Sequence, residues 1–85
     1  MLVITREAVN SLFNECTHEH RVEVMDTWAS YTQHEAVFAM ENTVWELHCK
    51  YNNIQERSLY DYMELYSEDI EATYKLACVI CMINA

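Results

Sequence analysis

The chain has 85 residues, 52% of them hydrophobic, with 14 acids against 5 bases for a net charge of -9, and no glycine or proline. A globular chain of this length carries roughly six glycines and four prolines. Glycine-dependent phosphate loops of the Walker or Rossmann kind and the usual two-residue hairpins are therefore excluded, and the charge argues against direct binding of DNA or RNA, which starts from a basic patch.

The expectation is one domain over residues 1–85, a compact all-α bundle of four to five short helices. Met1 to Ile4 is apolar and partly β-branched, and reads as a short strand or an extended arm lying on the core. Thr5 suits a helix N-cap, and Val9, Leu12, Phe13 and Cys16 then recur at the spacing of one helical face, which predicts a helix over residues 6–16. Thr17 suits a second cap. The helix after it would bury Val22, Met25 and Ala29 with Trp28 beside them, although the alternation over residues 21–24 also fits a short strand. Thr32 with Glu35, and Ser30 with Gln33, have the spacing of capping boxes and place a break near residues 30–33. Beyond it, Ala36, Met40, Val44, Leu47 and Tyr51 form the most regular apolar stripe of the chain. Asn52-Asn53 can supply a left-handed residue to end that helix in the absence of glycine. Ser58 with Asp61, and Ser67 followed by Glu68 and Asp69, mark two further starts, because carboxylates suit the positive end of a helix dipole. Their apolar faces are Leu59, Tyr62, Met63 and Tyr66, and then Ile70, Tyr74, Ala77, Cys78 and Cys81. The competing architecture is α+β, with a short N-terminal strand over residues 1–4 paired against residues 78–83.

No catalytic signature is complete. Cys78 and Cys81 form a CxxC, and Cys16, Cys49, His18, His20 and His48 are further donors for zinc, yet a single CxxC lacks the second knuckle of a finger or ribbon. Set among Ala77, Val79, Ile80 and Met82, both cysteines read as small core residues. On one helix His18 and His20 point about 200° apart, and neither they nor His34 beside Glu35 make an HExxH. The expectation is a non-enzyme with no cofactor and no metal. The longest apolar run, Leu76 to Ile83, is far short of the roughly 20 residues that cross a bilayer, and no signal-peptide pattern is visible. A cytoplasmic protein with reduced thiols and no membrane partner follows as the expectation.

The acids carry the functional reading. Glu15, Glu19, Glu23 and Asp26 are spaced four, four and three, and line one face if a single helix runs through them. Asp61, Glu64, Glu68, Asp69 and Glu71 form a second group without an intervening base, with Tyr60, Tyr62, Tyr66 and Tyr74 interleaved. Glu15, Glu19, Glu23, Asp26, Tyr60, Asp61, Glu64, Glu68, Asp69 and Glu71 are thus the candidate contact residues. Such rows resemble a run of backbone phosphates. The expected function is a small acidic protein-binding module, of a composition common among virus- and phage-encoded inhibitors, that occupies a basic, nucleic-acid-binding site on a larger host protein. The alternatives are a homodimeric structural or regulatory module centred on Trp28, Trp45 and Tyr51, and a zinc-stabilised domain.

Overall fold

The computed structural model describes residues 2–32, 34–52 and 54–84. Among them the chain forms five helices: α1 (Arg6–Phe13), α2 (His18–Ala29), α3 (Ala36–Tyr51), α4 (Glu56–Tyr66) and α5 (Ile70–Ile83). The bundle is all-α and is organised around α5, which touches each of the other four helices. The sequence of α5 explains that position. Every residue from Leu76 to Cys81 is buried, as are Ala72 and Thr73, and the small Ala72, Ala77, Cys78 and Cys81 let neighbouring helices approach from several sides. Residues 78–83 lie within this helix, with their backbone groups paired along its axis, so the α+β alternative does not hold.

Of the expected N-terminal arm, residues 2–4 are extended, and Met1 lies outside the described residues. Leu2 makes one parallel bridge with Ile54, and the Gln55 N–H donates to the Leu2 carbonyl at 3.2 Å. The Ile4 N–H donates to Ser58 Oγ at 2.9 Å, and that hydroxyl donates in turn to the Gln55 carbonyl at 2.9 Å. Ser58 therefore does not start α4, which begins two residues earlier at Glu56; it is buried and satisfies the arm's backbone.

Helix α1 ends at Phe13 rather than residue 16. Turn-type bonds from the Glu15 and Cys16 N–H groups to the Leu12 and Phe13 carbonyls close it, and Cys16 tucks into the core. Thr17 then opens α2 with a reciprocal cap: its Oγ1 accepts from the His20 N–H, and its own N–H donates to His20 Nδ1 at 3.0 Å. His20 is thus a capping residue. The buried face of α2 differs from the expected one. Val24 is fully buried and Trp28 packs on the core, whereas Val22 and Met25 are 41% and 46% exposed and Ala29 is exposed. The apolar residues of α2 spread over about 160° of its circumference, wider than the buried stripe, and it is the Val24–Trp28 edge, one turn apart, that faces the core. Arg21 reaches the Phe13 carbonyl at 3.4 Å and Glu23 reaches Tyr51 at 2.6 Å.

The Thr32–Glu35 capping box does not form, because Glu35 is itself the extended N-cap of α3 and makes no side-chain cap. Ser30 closes α2 as its C-cap, and its expected partner Gln33 lies outside the described residues. The α3 stripe is as expected in Met40, Val44 and Leu47, joined by Ala39, Thr43 and His48, while Ala36 is exposed. Asn52 adopts the left-handed conformation (φ 55°, ψ 36°) that ends the helix; Asn53 lies outside the described residues. Asp69 caps α5, accepting from the Ala72 N–H at 3.0 Å, and the Tyr62 hydroxyl locks the α4–α5 corner by donating to the Ala72 carbonyl at 3.1 Å. Among the described residues no helix is long and apolar enough to cross a membrane.

Candidate interaction surface

The few bases of this chain are placed unevenly. Arg6 lies over the Tyr66 ring at 4.7 Å, Arg21 over Phe13 at 4.3 Å, Lys75 over the same Phe13 at 5.5 Å, and Lys50 over Tyr51 at 4.9 Å. Four of the five bases are therefore spent on the chain's own aromatic rings. Two also hold carboxylates: Lys50 pairs with Glu23 at 3.1 Å and Lys75 with Glu71 at 3.4 Å. The Tyr51 hydroxyl bond, aided by Lys50, draws the Glu23 carboxyl below its ordinary value against the effect of burial. Among the described residues Arg57 is the one base with no ring or ion-pair contact of this kind, exposed at the start of α4.

Helices α3 and α4 both lean on α5, and between them runs a groove with no base among the described residues that line it. Its first part, about 320 Å³, is lined by Glu41, Trp45, Tyr60, Met63, Glu64 and Ser67. Its second part, about 370 Å³, shares Glu41 and Ser67 and adds Glu35, Val37, Phe38 and Glu68. Four carboxylates and three aromatic rings thus border one trough. The Trp45 and Tyr60 rings sit 6.2 Å apart at a tilt of 58°, and Trp45 also meets the buried His48 edge-on at 5.8 Å. Tyr60 and Phe38 are 60% and 50% exposed, which leaves large ring faces open to solvent beside charge. Glu41, common to both parts, is partly buried, and with no cation to offset that burial its carboxyl is pushed up from the ordinary 4.5.

The two expected acidic rows fare differently. The first loses only its first member, because the chain turns between α1 and α2: Glu15 sits in that turn, while Glu19, Glu23 and Asp26 keep their spacing of four and three on one face of α2, with Glu23 bonded to Lys50 and Tyr51. From the second group, Tyr60, Glu64 and Glu68 line the groove, and Asp61 is exposed on the same helix. Asp69 is used as the α5 cap, and Glu71 lies with Arg6, Asp69 and Lys75 around a separate hollow of about 80 Å³. Sequence reasoning missed Glu35, Phe38 and Glu41, and assigned Trp45 only to an oligomer face. Glu41 and Trp45 each follow a residue of the α3 stripe, Met40 and Val44, so the signal was a second α3 face lying one position beyond the core.

The other tyrosines have internal duties. Tyr62 is buried and stacks on Tyr66 with centroids 4.6 Å apart; Tyr74 meets Phe13 edge-on at 6.0 Å; Tyr31 donates to Glu46 and Tyr51 to Glu23. Trp28, Trp45 and Tyr51, the proposed centre of an oligomer face, all pack against the core. Burial pushes the Cys78 thiol up to about 11 and the Cys81 thiol to about 12, which leaves both as unreactive core groups. Among the described residues no three histidines, cysteines or acids come together as a metal site. No family model, curated protein or solved structure matches the chain.

Proposed function

We propose that the protein is a small acidic binding module that occupies a basic surface on a larger protein, with the α3–α4 groove and the exposed acids of α4 as its contact face. One observation carries this reading: Glu35, Glu41, Glu64 and Glu68 border a trough that also holds Phe38, Trp45 and Tyr60, with no base among the described residues that line it. Such a face supplies long-range attraction toward cations together with aromatic contact area that becomes favourable once water is excluded. A surface of this kind competes with nucleic acid for a basic site, and in that capacity the protein acts as an inhibitor of the virus or phage type. The reading assigns it no catalytic step. Self-association through the same face would bring like charges together, so a homodimer is the weaker reading.

Affinity capture from the source cells tests the proposal, using the wild type beside the triple variant Glu41→Lys, Glu64→Lys, Glu68→Lys and a control Glu7→Lys on exposed α1. The expected result is one basic, nucleic-acid-binding partner, retained by wild type and control, lost with the triple variant, and released by raised salt. Capture that is indifferent to both charge reversal and salt contradicts it.

A further inference from the structure

Within the binding reading above, on which this step rests, the groove's own chemistry selects among basic groups. Elsewhere in the molecule the chain shows what its aromatic rings take. The Tyr66, Phe13 and Tyr51 rings each carry a cation, supplied by Arg6, by Arg21 and Lys75, and by Lys50. Among the described residues, Trp45 and Tyr60 present the same kind of face with no cation over it, next to Glu41 and Glu64, neither of which has an ion-pair partner there. The hollow around Arg6, Asp69, Glu71 and Lys75 offers the opposite case, since its charges are balanced from within.

We infer that the α3–α4 groove seats an arginine side chain from a basic segment of the partner, with the guanidinium against the Trp45–Tyr60 pair and facing the Glu41 and Glu64 carboxylates. Charge complementarity identifies the occupant as cationic. A second copy of this chain fits poorly, because at a net charge of -9 it has, among the described residues, only Arg57 uncommitted to an internal ring. The aromatic pair favours arginine over lysine: a guanidinium is planar and weakly hydrated, so it can stack on a ring while its edge donates two hydrogen bonds to a carboxylate, whereas an ammonium is a compact, strongly hydrated charge. Glu41 strengthens the preference. Its partly buried carboxylate lacks a cation, and a guanidinium arriving beside it restores the missing stabilisation.

The test uses two fluorescently labelled peptides of equal length and charge, one alternating arginine with serine and the other lysine with serine, titrated into the full chain at about 0.15 M salt. The arginine peptide is expected to bind about tenfold tighter than the lysine peptide. Glu41→Gln and Tyr60→Ala should each weaken it about tenfold and remove its advantage over lysine, while Glu7→Gln on α1 weakens both peptides slightly and equally. In a Trp28→Phe variant the remaining Trp45 emission should change with the arginine peptide; circular dichroism confirms that each variant is folded. Equal affinity for the two peptides, with Glu41→Gln behaving as Glu7→Gln does, overturns the arginine site and leaves the acidic binding reading standing. Failure of both peptides to bind overturns the two together.

Discussion

The α1–α2–α5 side and the α3–α4 groove treat charge and aromatic surface in opposite ways. On the first side, Arg21 and Lys75 lie over Phe13, Arg6 reaches the Tyr66 ring at the far end of α4, Lys75 holds Glu71, and Asp69 is satisfied as a cap. In the groove, among the described residues, Trp45 and Tyr60 have no cation over them and Glu41 has no ion-pair partner. A chain with 5 bases cannot neutralise 14 acids, so some carboxylates must remain unpaired. Their grouping beside exposed rings is what separates a contact face from an evenly solvated surface. The lesson is that the location of the bases defines the site more sharply than the location of the acids.

If that contrast is sound, substitutions on the two sides differ in kind. The largest effect is expected at the hub: Leu76→Ala on α5, a fully buried site, should cost about 3 kcal/mol in a denaturant titration, whereas Tyr60→Ala in the groove should stay within about 0.5 kcal/mol. Similar losses at both positions would break the comparison. A smaller effect belongs to the α2–α3 tie. Tyr51→Phe removes the hydroxyl bond to Glu23 and should cost about 1 kcal/mol near neutral pH. Because the Glu23 carboxyl is held below 4.5, its contribution is full above that value and is lost as the pH falls toward its lowered value. The acid limb of the stability curve should therefore flatten in Tyr51→Phe. The smallest effect has the opposite sign. The Glu41 carboxyl is raised above 4.5, so the folded state carries a penalty at neutral pH that disappears once the pH falls below 4.5. Glu41→Gln should accordingly be slightly more stable than wild type at pH 7, with the two converging in acid. A Glu41→Gln variant less stable at pH 7 would mean that the groove carboxylate serves the fold.

Helix count and several boundaries were legible because they rest on local chemistry. Thr5, Thr17 and Asp69 each cap the helix that follows, and Asn52 takes the left-handed turn that glycine would otherwise supply. Errors arose where the decision was tertiary. The apolar side of α2 is wider than the stripe it buries, so the sequence left open which edge faces the core, and the partners of Arg21 and Glu23, Phe13 and Tyr51, lie on other helices. The row from Glu15 to Asp26 assumed one helix where two meet, although the Thr17 cap already indicated a boundary. Ser58 has a start signal, but Ile4, 54 residues away in sequence, claims its hydroxyl. Half of the groove was visible as Tyr60, Glu64 and Glu68. The other half, Phe38, Glu41 and Trp45, shares a second face of α3 at i, i+3, i+7 spacing, but that face meets Tyr60, Glu64 and Glu68 only when α3 and α4 come to lie on α5.

Amide and indole chemical-shift mapping with the arginine–serine peptide at low salt probes the contrast most directly. Perturbations confined to residues around Glu41, Trp45, Tyr60, Glu64 and Ser67, with the Trp45 indole among the largest and the surroundings of Arg6, Arg21 and Lys75 unmoved, are the predicted result. Shifts scattered over all five helices in proportion to their acids would contradict it.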